Sequence, residues 1–447
     1  MMDCSTMLQF TQQLVKFLTN PEKLEESGDD AAAPLPFKKC GELIRYHSED
    51  LAKQGDFSLA AISRYWEKYL KDQGLKLRHN ADQLLPGEKE RLELIEQSRQ
   101  WRFPLVEIIM PHKERYCLRF ERRPLIAHVL NSVLTLGEEY GRPAKNKHSC
   151  TMSLQLQADA GATDGGQDLR HYRLQQLYKI MLRLVDYSSW RLVEPNDRQE
   201  DTLCVNVELE KCCKRQQPRG HVCLVSGPVL EPVKKTASIL TVDEYFELRC
   251  SHMRLMAMHR SGIRPKGMSS LDALMNRLGA AAVIVDLFEV RHTSAVSVVR
   301  NGLGICKGAA YIMYNLARLE TLLRKFSNQV RAGVYAKLPP LEEIDLSVLE
   351  DDIEWQLIYG YLFTFPELME SLMDQLAKGH CGVHLLLRYI ENLAGVFSRF
   401  YCLKKILVQK RDQLMPTLYA RIYLIMAVKQ VLNKALAVLG IEPVDYV

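Results

Sequence analysis

The sequence predicts a mixed fold, with an α+β N-terminal and middle portion followed by an all-α C-terminal bundle. Three observations predict it. Near the C-terminus apolar residues recur with a helical period at Ile422, Ile425, Met426, Val428, Val431, Leu432, Leu436 and Leu439, and Gly440 with Pro443 supplies the stop. Upstream, residues 101–110 and 115–120 are short runs rich in β-branched and aromatic side chains near prolines, the pattern of strands. The whole chain of 447 residues is 47% apolar and 25% charged, an ordinary globular composition with enough length for two or three well-developed cores.

In chain order, residues 1–100 read as helical, with a break at 25–34, and carry no recognisable function of their own. Residues 101–157 read as an α+β segment, the two strands followed by a helix from Leu125 to about Leu136. Residues 158–270 open on a glycine-rich stretch, 158–167, that lacks both Gly-x-Gly-x-x-Gly and the Gly-Lys-Ser/Thr end of a phosphate loop, so it reads as a linker. A helix at 172–184 and strands at 203–208 and 222–225 follow. Residues 271–447 read as helical.

Charge is segregated. The net formal charge is only +5, yet nine basic and two acidic residues lie between Arg388 and Lys434, while Leu341 to Glu354 holds seven acidic residues and no basic one. Twelve cysteines are scattered without zinc spacing, as for free thiols in a reducing compartment. The N-terminus lacks the pattern of a signal peptide, and no run approaches the ~20 apolar residues that span a bilayer. The expectation is a cytoplasmic protein without a membrane role, with nuclear access left open.

Conventional catalytic patterns are missing. His252 and His259 are seven apart without the i, i+4 spacing and intervening glutamate of a metal helix, Cys306 has no local orienting partner, and no glycine-rich turn offers a methyl-donor site. RNA binding requires instead basic side chains along phosphates and flat side chains under unstacked bases. Residues 397–411 offer both, in Arg399, Phe400, Tyr401, Lys404, Lys405, Lys410 and Arg411.

Several stretches in one order carry a resemblance: 308–325 (GAAYIMYNLARLETLLRK), 354–358 (EWQLI), Phe365-Pro366, 389–401 (YIENLAGVFSRFY) and 419–447 with its closing LGIEPV. Together they resemble the DALR anticodon-binding domain of arginyl-tRNA synthetases, over about 308–447. Upstream, 116–120 (YCLRF) and 134–141 (LTLGEEYG) resemble the end of the synthetase N-terminal tRNA-binding domain. The His-x-Gly-His turn of that enzyme class is absent, and its lysine loop has as nearest counterpart residues 221–238, where Thr236-Ala237 replace Met-Ser.

The resemblance therefore implies a non-synthetase relative, of the kind named DALR anticodon-binding domain-containing proteins, in which residues 158–270 are a degenerate remnant of the catalytic core. It implies RNA-binding roles for Tyr311, Tyr314, Arg318, Arg399, Phe400, Tyr401, Lys404, Lys405, Lys410, Arg411, Arg421 and Tyr446, the last standing with Val447 where the family ends in Arg-Met. The implied function is a non-catalytic adaptor for arginine tRNAs, gripping the anticodon arm and assisting a partner tRNA methyltransferase that forms 3-methylcytidine, with no cofactor or metal of its own. Two alternatives remain, a divergent ATP-dependent ligase and a protein-protein scaffold without RNA.

Overall fold

The computed structural model describes residues 6–19, 43–71, 75–79, 81–112, 114–142, 151–156, 162–163, 166–188, 190–197, 202–209, 220–232, 234–261, 268–298, 307–409 and 411–444. The expected break at 25–34, most of the glycine-rich stretch, Cys306, Lys410 and Tyr446 lie outside them. The chain divides into two compact units, one of residues 1–135, 339–364 and 419–421, the other of 136–338, 365–418 and 422–447.

The first unit is built on an antiparallel sheet of β1 (Ile44–Tyr46), β2 (Phe57–Ala60), β3 (Leu105–His112) and β4 (Arg115–Phe120), in the order β1-β2-β4-β3. Helices α1 (Thr6–Leu18), α2 (Ser63–Lys71), α3 (Glu88–Ser98) and α4 (Arg122–Leu136) accompany it. Its core is aromatic, Phe10 meeting Phe57 at 5.1 Å and Phe120 at 4.8 Å between ring centroids, both edge-on.

The expectation of an all-helical segment to residue 100 is corrected by β1 and β2. All four residues of β2 are buried, so the strand lacks the alternation that separates a half-exposed strand from a piece of helix. A boundary at 100 would cut this sheet apart, since β2 pairs with β4.

Residues 339–364 complete the same unit. Asp351 and Glu354 form a capping box that starts a short helix, Asp352–Trp355, which widens into a π-helix at Gln356–Phe363. Trp355, Tyr359 and Phe363 succeed one another along it, with ring centroids 5.3 and 5.8 Å apart. The Trp355 indole donates to Asp56 Oδ1 at 2.7 Å, and the Tyr359 hydroxyl donates to the Asp56 carbonyl at 2.7 Å. Gly360 lets the π-helix approach closely, since a Cβ there would stand 3.0 Å from the Ser48 carbonyl oxygen.

The second unit opens with a parallel sheet of β5 (Thr151–Leu156), β6 (Arg191–Leu192), β7 (Leu203–Glu208) and β8 (His221–Val225), in the order β8-β7-β5-β6. Between β5 and β6 runs α5 (Leu169–Tyr187), whose Asp168 N-cap accepts from the backbone N–H groups of Arg170 and His171. On this helix Arg173 is fully buried and donates to the carbonyls of Leu287, Gly227, Ser294 and Arg291. Burial lowers its pKa to about 10.

Helices α6 (Val242–Ser261) and α7 (Met268–Phe288) follow, so the helical run begins at Val242 and not at 271. The helical period of α6 is masked by polar residues placed inside. Arg249, 3% exposed, pairs with Asp286 at 2.7 Å and donates to the Tyr245 hydroxyl at 2.7 Å. Further helices among the described residues are α8 (Lys307–Arg331), α9 (Phe365–Ala377), α10 (Val383–Leu403) and α11 (Met415–Leu439). By length and composition residues 412–439 could cross a membrane, with a mean hydropathy of 1.6, but 61% of that window is buried inside the protein, as befits a core helix. Gly440 ends α11 at φ 72°, a left-handed cap that favours glycine.

Candidate nucleic-acid interface

The site forms where α8 and α10 pack side by side. In α8, Ile312, Met313, Leu316, Leu319, Leu322 and Phe326 turn inward. Tyr311, Tyr314 and Arg318 occupy a flank instead, at the i, i+3, i+7 spacing that keeps side chains on one helical face. In α10, Leu386, Ile390, Leu393, Phe397 and Phe400 are core, while Ser398 and Tyr401 turn toward α8.

Arg318 joins the two helices. Its guanidinium carbon lies 4.3 Å from the Tyr314 ring centroid and 4.5 Å from that of Tyr401. It donates to the Tyr314 hydroxyl at 2.6 Å and to Ser398 Oγ at 3.4 Å. Tyr311 stands one turn from Tyr314, 40% exposed. A Cβ added at Gly395 on α10 would already lie 3.9 Å from the Tyr311 hydroxyl oxygen, so a longer side chain there would crowd this ring.

The basic stretch follows at the end of α10. Arg399, Lys405 and Arg411 are exposed and Lys404 is half-buried at the helix C-cap, its N–H bonded to the Phe400 carbonyl. Cations placed there complement the negative end of a helix as well as any phosphate. Among them Leu403 is 69% exposed, an apolar side chain out of phase with the buried stripe. Sequence reasoning did not mark Leu403, Ser398 or Gly395, although the phase of α10, once anchored on Phe397, places all three away from the core.

Two expected contacts are corrected. Phe400 is fully buried, packed against Phe397 with centroids 6.4 Å apart, and offers no face to a base. Arg421 lies in the other unit and is held by Glu354 at 2.7 Å and Asp351 at 3.5 Å. Burial raises the Glu354 pKa and the hydrogen bond from Arg421 opposes that rise, as in a structural pair. Two further members of the basic run are engaged internally, Lys429 with Glu320 at 2.5 Å and Lys434 with Glu138 at 3.4 Å. The acidic run is likewise drawn into the first unit, where Asp352 receives Arg122 at 2.7 Å.

Elsewhere, Lys234 and Lys235 sit exposed on a tight turn in which the Lys235 N–H reaches the Glu231 carbonyl and Lys235 has φ 52°. His252 packs against Arg249 at 3.3 Å. Among the described residues no group of three or more His, Cys, Asp or Glu is arranged to hold a metal. In the first unit a groove of about 500 Å³ is lined by Arg102, Arg123, His128 and Asn131, with Leu341 and Ile344. Burial, reinforced by the Arg102 charge, pushes the His128 pKa down to about 4, so this imidazole is neutral at physiological pH.

Residues 312–447 match the family described as DALR anticodon binding domain. The chain is similar to DALR anticodon-binding domain-containing protein 3 of Danio rerio, 27% identical over 236 residues that make up 50% of this chain and 42% of that protein. The Mus musculus counterpart is 26% identical over 246 residues, 52% and 44% of the two chains. The matched region thus spans less than half the length of these relatives. An arginine–tRNA ligase of Carboxydothermus hydrogenoformans is 35% identical over 132 residues, 30% of this chain and 21% of that one.

Among solved structures, the arginyl-tRNA synthetase of Plasmodium falciparum aligns over 100% of both chains with a TM-score of 0.62, and that of Thermus thermophilus over 92% and 98% with a TM-score of 0.60. Identity is 11% in both, so the likeness is one of fold. The architecture is arginyl-tRNA synthetase-like, a mixed α/β N-terminal region followed by a helical C-terminal DALR domain.

Proposed function

From a chain that carries a DALR anticodon binding domain at residues 312–447 on an arginyl-tRNA synthetase-like fold, we propose a non-catalytic, cytoplasmic tRNA-binding adaptor. The observation that carries this reading is the tyrosine cluster of α8 and α10 beside exposed Arg399, Lys405 and Arg411, all within the matched domain or at its opening turn. Flat rings accept unstacked loop bases and neighbouring cations follow phosphates, the two elements that single-stranded RNA recognition requires. Tyr311, Tyr314, Arg399, Tyr401, Lys404, Lys405 and Arg411 are the residues assigned to contact RNA, with Arg318 lying over the Tyr314 and Tyr401 rings. Phe397, its ring centroid 6.3 Å from that of Tyr401, supports Tyr401 from within, while Phe400 and Arg421 belong to the scaffold.

The family resemblance makes arginine tRNAs the ligand and the anticodon arm the part held. The missing His-x-Gly-His turn and the Thr236-Ala237 of the lysine loop support a reading without aminoacylation, and the family resemblance suggests an accessory role beside a partner tRNA methyltransferase that forms 3-methylcytidine in the anticodon loop.

Crosslinking followed by sequencing of the bound RNA tests the reading. Arginine tRNAs crosslinked in the anticodon arm are expected, together with a methyltransferase in the same purified complex. Recovery of no RNA would convert the reading to a protein-protein scaffold. Arginine-dependent ATP–pyrophosphate exchange, abolished by substitution of Lys234 and Lys235, would restore a ligase.

A further inference from the structure

One face of Tyr314 and one of Tyr401, the surfaces on which a splayed base would lie, are already covered by Arg318. The guanidinium carbon is within 4.5 Å of both ring centroids, and its fork is steadied by the Tyr314 hydroxyl and by Ser398 Oγ. A guanidinium is planar and delocalised and stacks on aromatic faces much as a base does, while being more weakly hydrated than an ammonium. It is therefore a flat cation resident on a flat-ligand site.

We propose that Arg318 is an internal stand-in for a nucleobase, covering the Tyr314 and Tyr401 rings while no RNA is bound and swinging away when an unpaired base stacks there. The inference rests on the RNA-binding reading above and adds to it an exchange step. The displaced side chain leaves both rings and breaks its hydrogen bond to the Tyr314 hydroxyl, so every base that enters must first outcompete it. The device raises selectivity, because a poorly stacking or paired base gains too little to dislodge the guanidinium. It also keeps the two rings apart and ordered in the free protein, where bare aromatic surface would otherwise collapse or attract other apolar partners.

The test uses the full chain and a short stem-loop RNA carrying 2-aminopurine at one loop position at a time, so that stacking is read as fluorescence quenching alongside affinity. Arg318→Lys keeps the charge and removes the flat fork, whereas Arg318→Ala removes both. Stacking of a cation on an exposed ring corresponds to a factor of about two to five, so Arg318→Ala should bind about two- to fivefold tighter with an unchanged salt slope, Arg318→Lys should gain less because its ammonium can still lie over a ring, and quenching at a single loop position should persist or deepen.

Weaker binding by both variants, with a shallower salt slope for Arg318→Ala, would show that Arg318 grips phosphate directly and would overturn the exchange. RNA that binds the natural protein without quenching at any loop position would overturn it too, leaving RNA binding itself intact. No binding of the stem-loop even at low salt would instead remove the RNA reading on which the exchange depends.

Discussion

The Trp355 indole donates to the carboxylate of Asp56 at 2.7 Å across 299 positions of sequence. The same carboxylate accepts the Phe120 N–H at 2.7 Å and is 3% exposed, and its main-chain carbonyl receives the Tyr359 hydroxyl. One aspartate thus ties the N-terminal sheet to a π-helix encoded far downstream.

Stability should depend on Asp56 between about pH 4 and 6. Burial pushes its pKa up to about 6, against the hydrogen bonds from Trp355 and Phe120 that favour the anion. The folded state then holds a proton that the unfolded state, with its carboxyl near the usual value of about 3.9, has released. The contribution is fully present below about pH 4 and disappears as pH rises through 6, a difference on the order of 3 kcal/mol. Urea unfolding at a series of pH values should show this slope in the natural protein and a flatter one in Asp56→Asn. Equal slopes would remove Asp56 from the account.

Arg421→Ala should unfold the first unit more readily and leave RNA binding alone. Glu354 is fully buried and would be stranded without its 2.7 Å partner, a destabilisation of about 3 to 5 kcal/mol for a broken buried pair. Glu354→Gln in the same chain should recover much of that stability. The salt slope of RNA binding, compared where both proteins are folded, should be unaltered by Arg421→Ala.

Replacing Arg399, Lys404, Lys405 and Arg411 together by Ala should do the reverse. The slope of log affinity against log salt should fall by about 0.7 for each loop phosphate that these cations no longer neutralise. Thermal stability should barely change, since Arg399, Lys405 and Arg411 are exposed. An unaltered slope in a folded quadruple variant would make the stretch a helix-end charge complement only.

The neighbouring aromatics Phe400 and Tyr311 should separate cleanly. Phe400→Ala should destabilise by about 3 to 5 kcal/mol through the cavity it leaves in the core. Tyr311→Ala should cost about 1 to 3 kcal/mol in RNA affinity, as base stacking does, with little shift in melting temperature. Calorimetry beside titration with the stem-loop distinguishes them, and an equal destabilisation by both would place Tyr311 in the core.

How far the sequence can be read is visible in α10. Its helical period is plain, and the tyrosines with their cations are legible as an RNA-type composition. Phe400 and Tyr401 read as a pair, yet one residue of helix turns a side chain through about 100°, enough to bury the first and present the second. The charge of Arg421 alone suggests RNA, because nothing local announces that Glu354, 67 positions away, will claim it. The strand at 203–208 emerges where β-branched residues are dense. By contrast β1 and β2 vanish into a helical reading, since β1 is a bare three residues and β2, buried throughout, carries no alternation; β2 owes its conformation to distant pairing with β4, and β1 to pairing with β2. Membership of residues 339–364 in the first unit is likewise a tertiary fact, written in Trp355 and Tyr359 only once Asp56 is brought to them.

That membership bears on how the chain is born. A ribosome adding about 5 to 20 residues per second releases Asp56 and the rest of the N-terminal sheet on the order of ten seconds or more before Trp355, and Arg421 emerges later still. During that interval the nascent sheet stands without its π-helical cover, its aspartate facing water and its aromatic cluster unsealed, and folding helpers at the exit tunnel would meet it in that state. A sheet translated long before its cover is thus among the last parts to be finished.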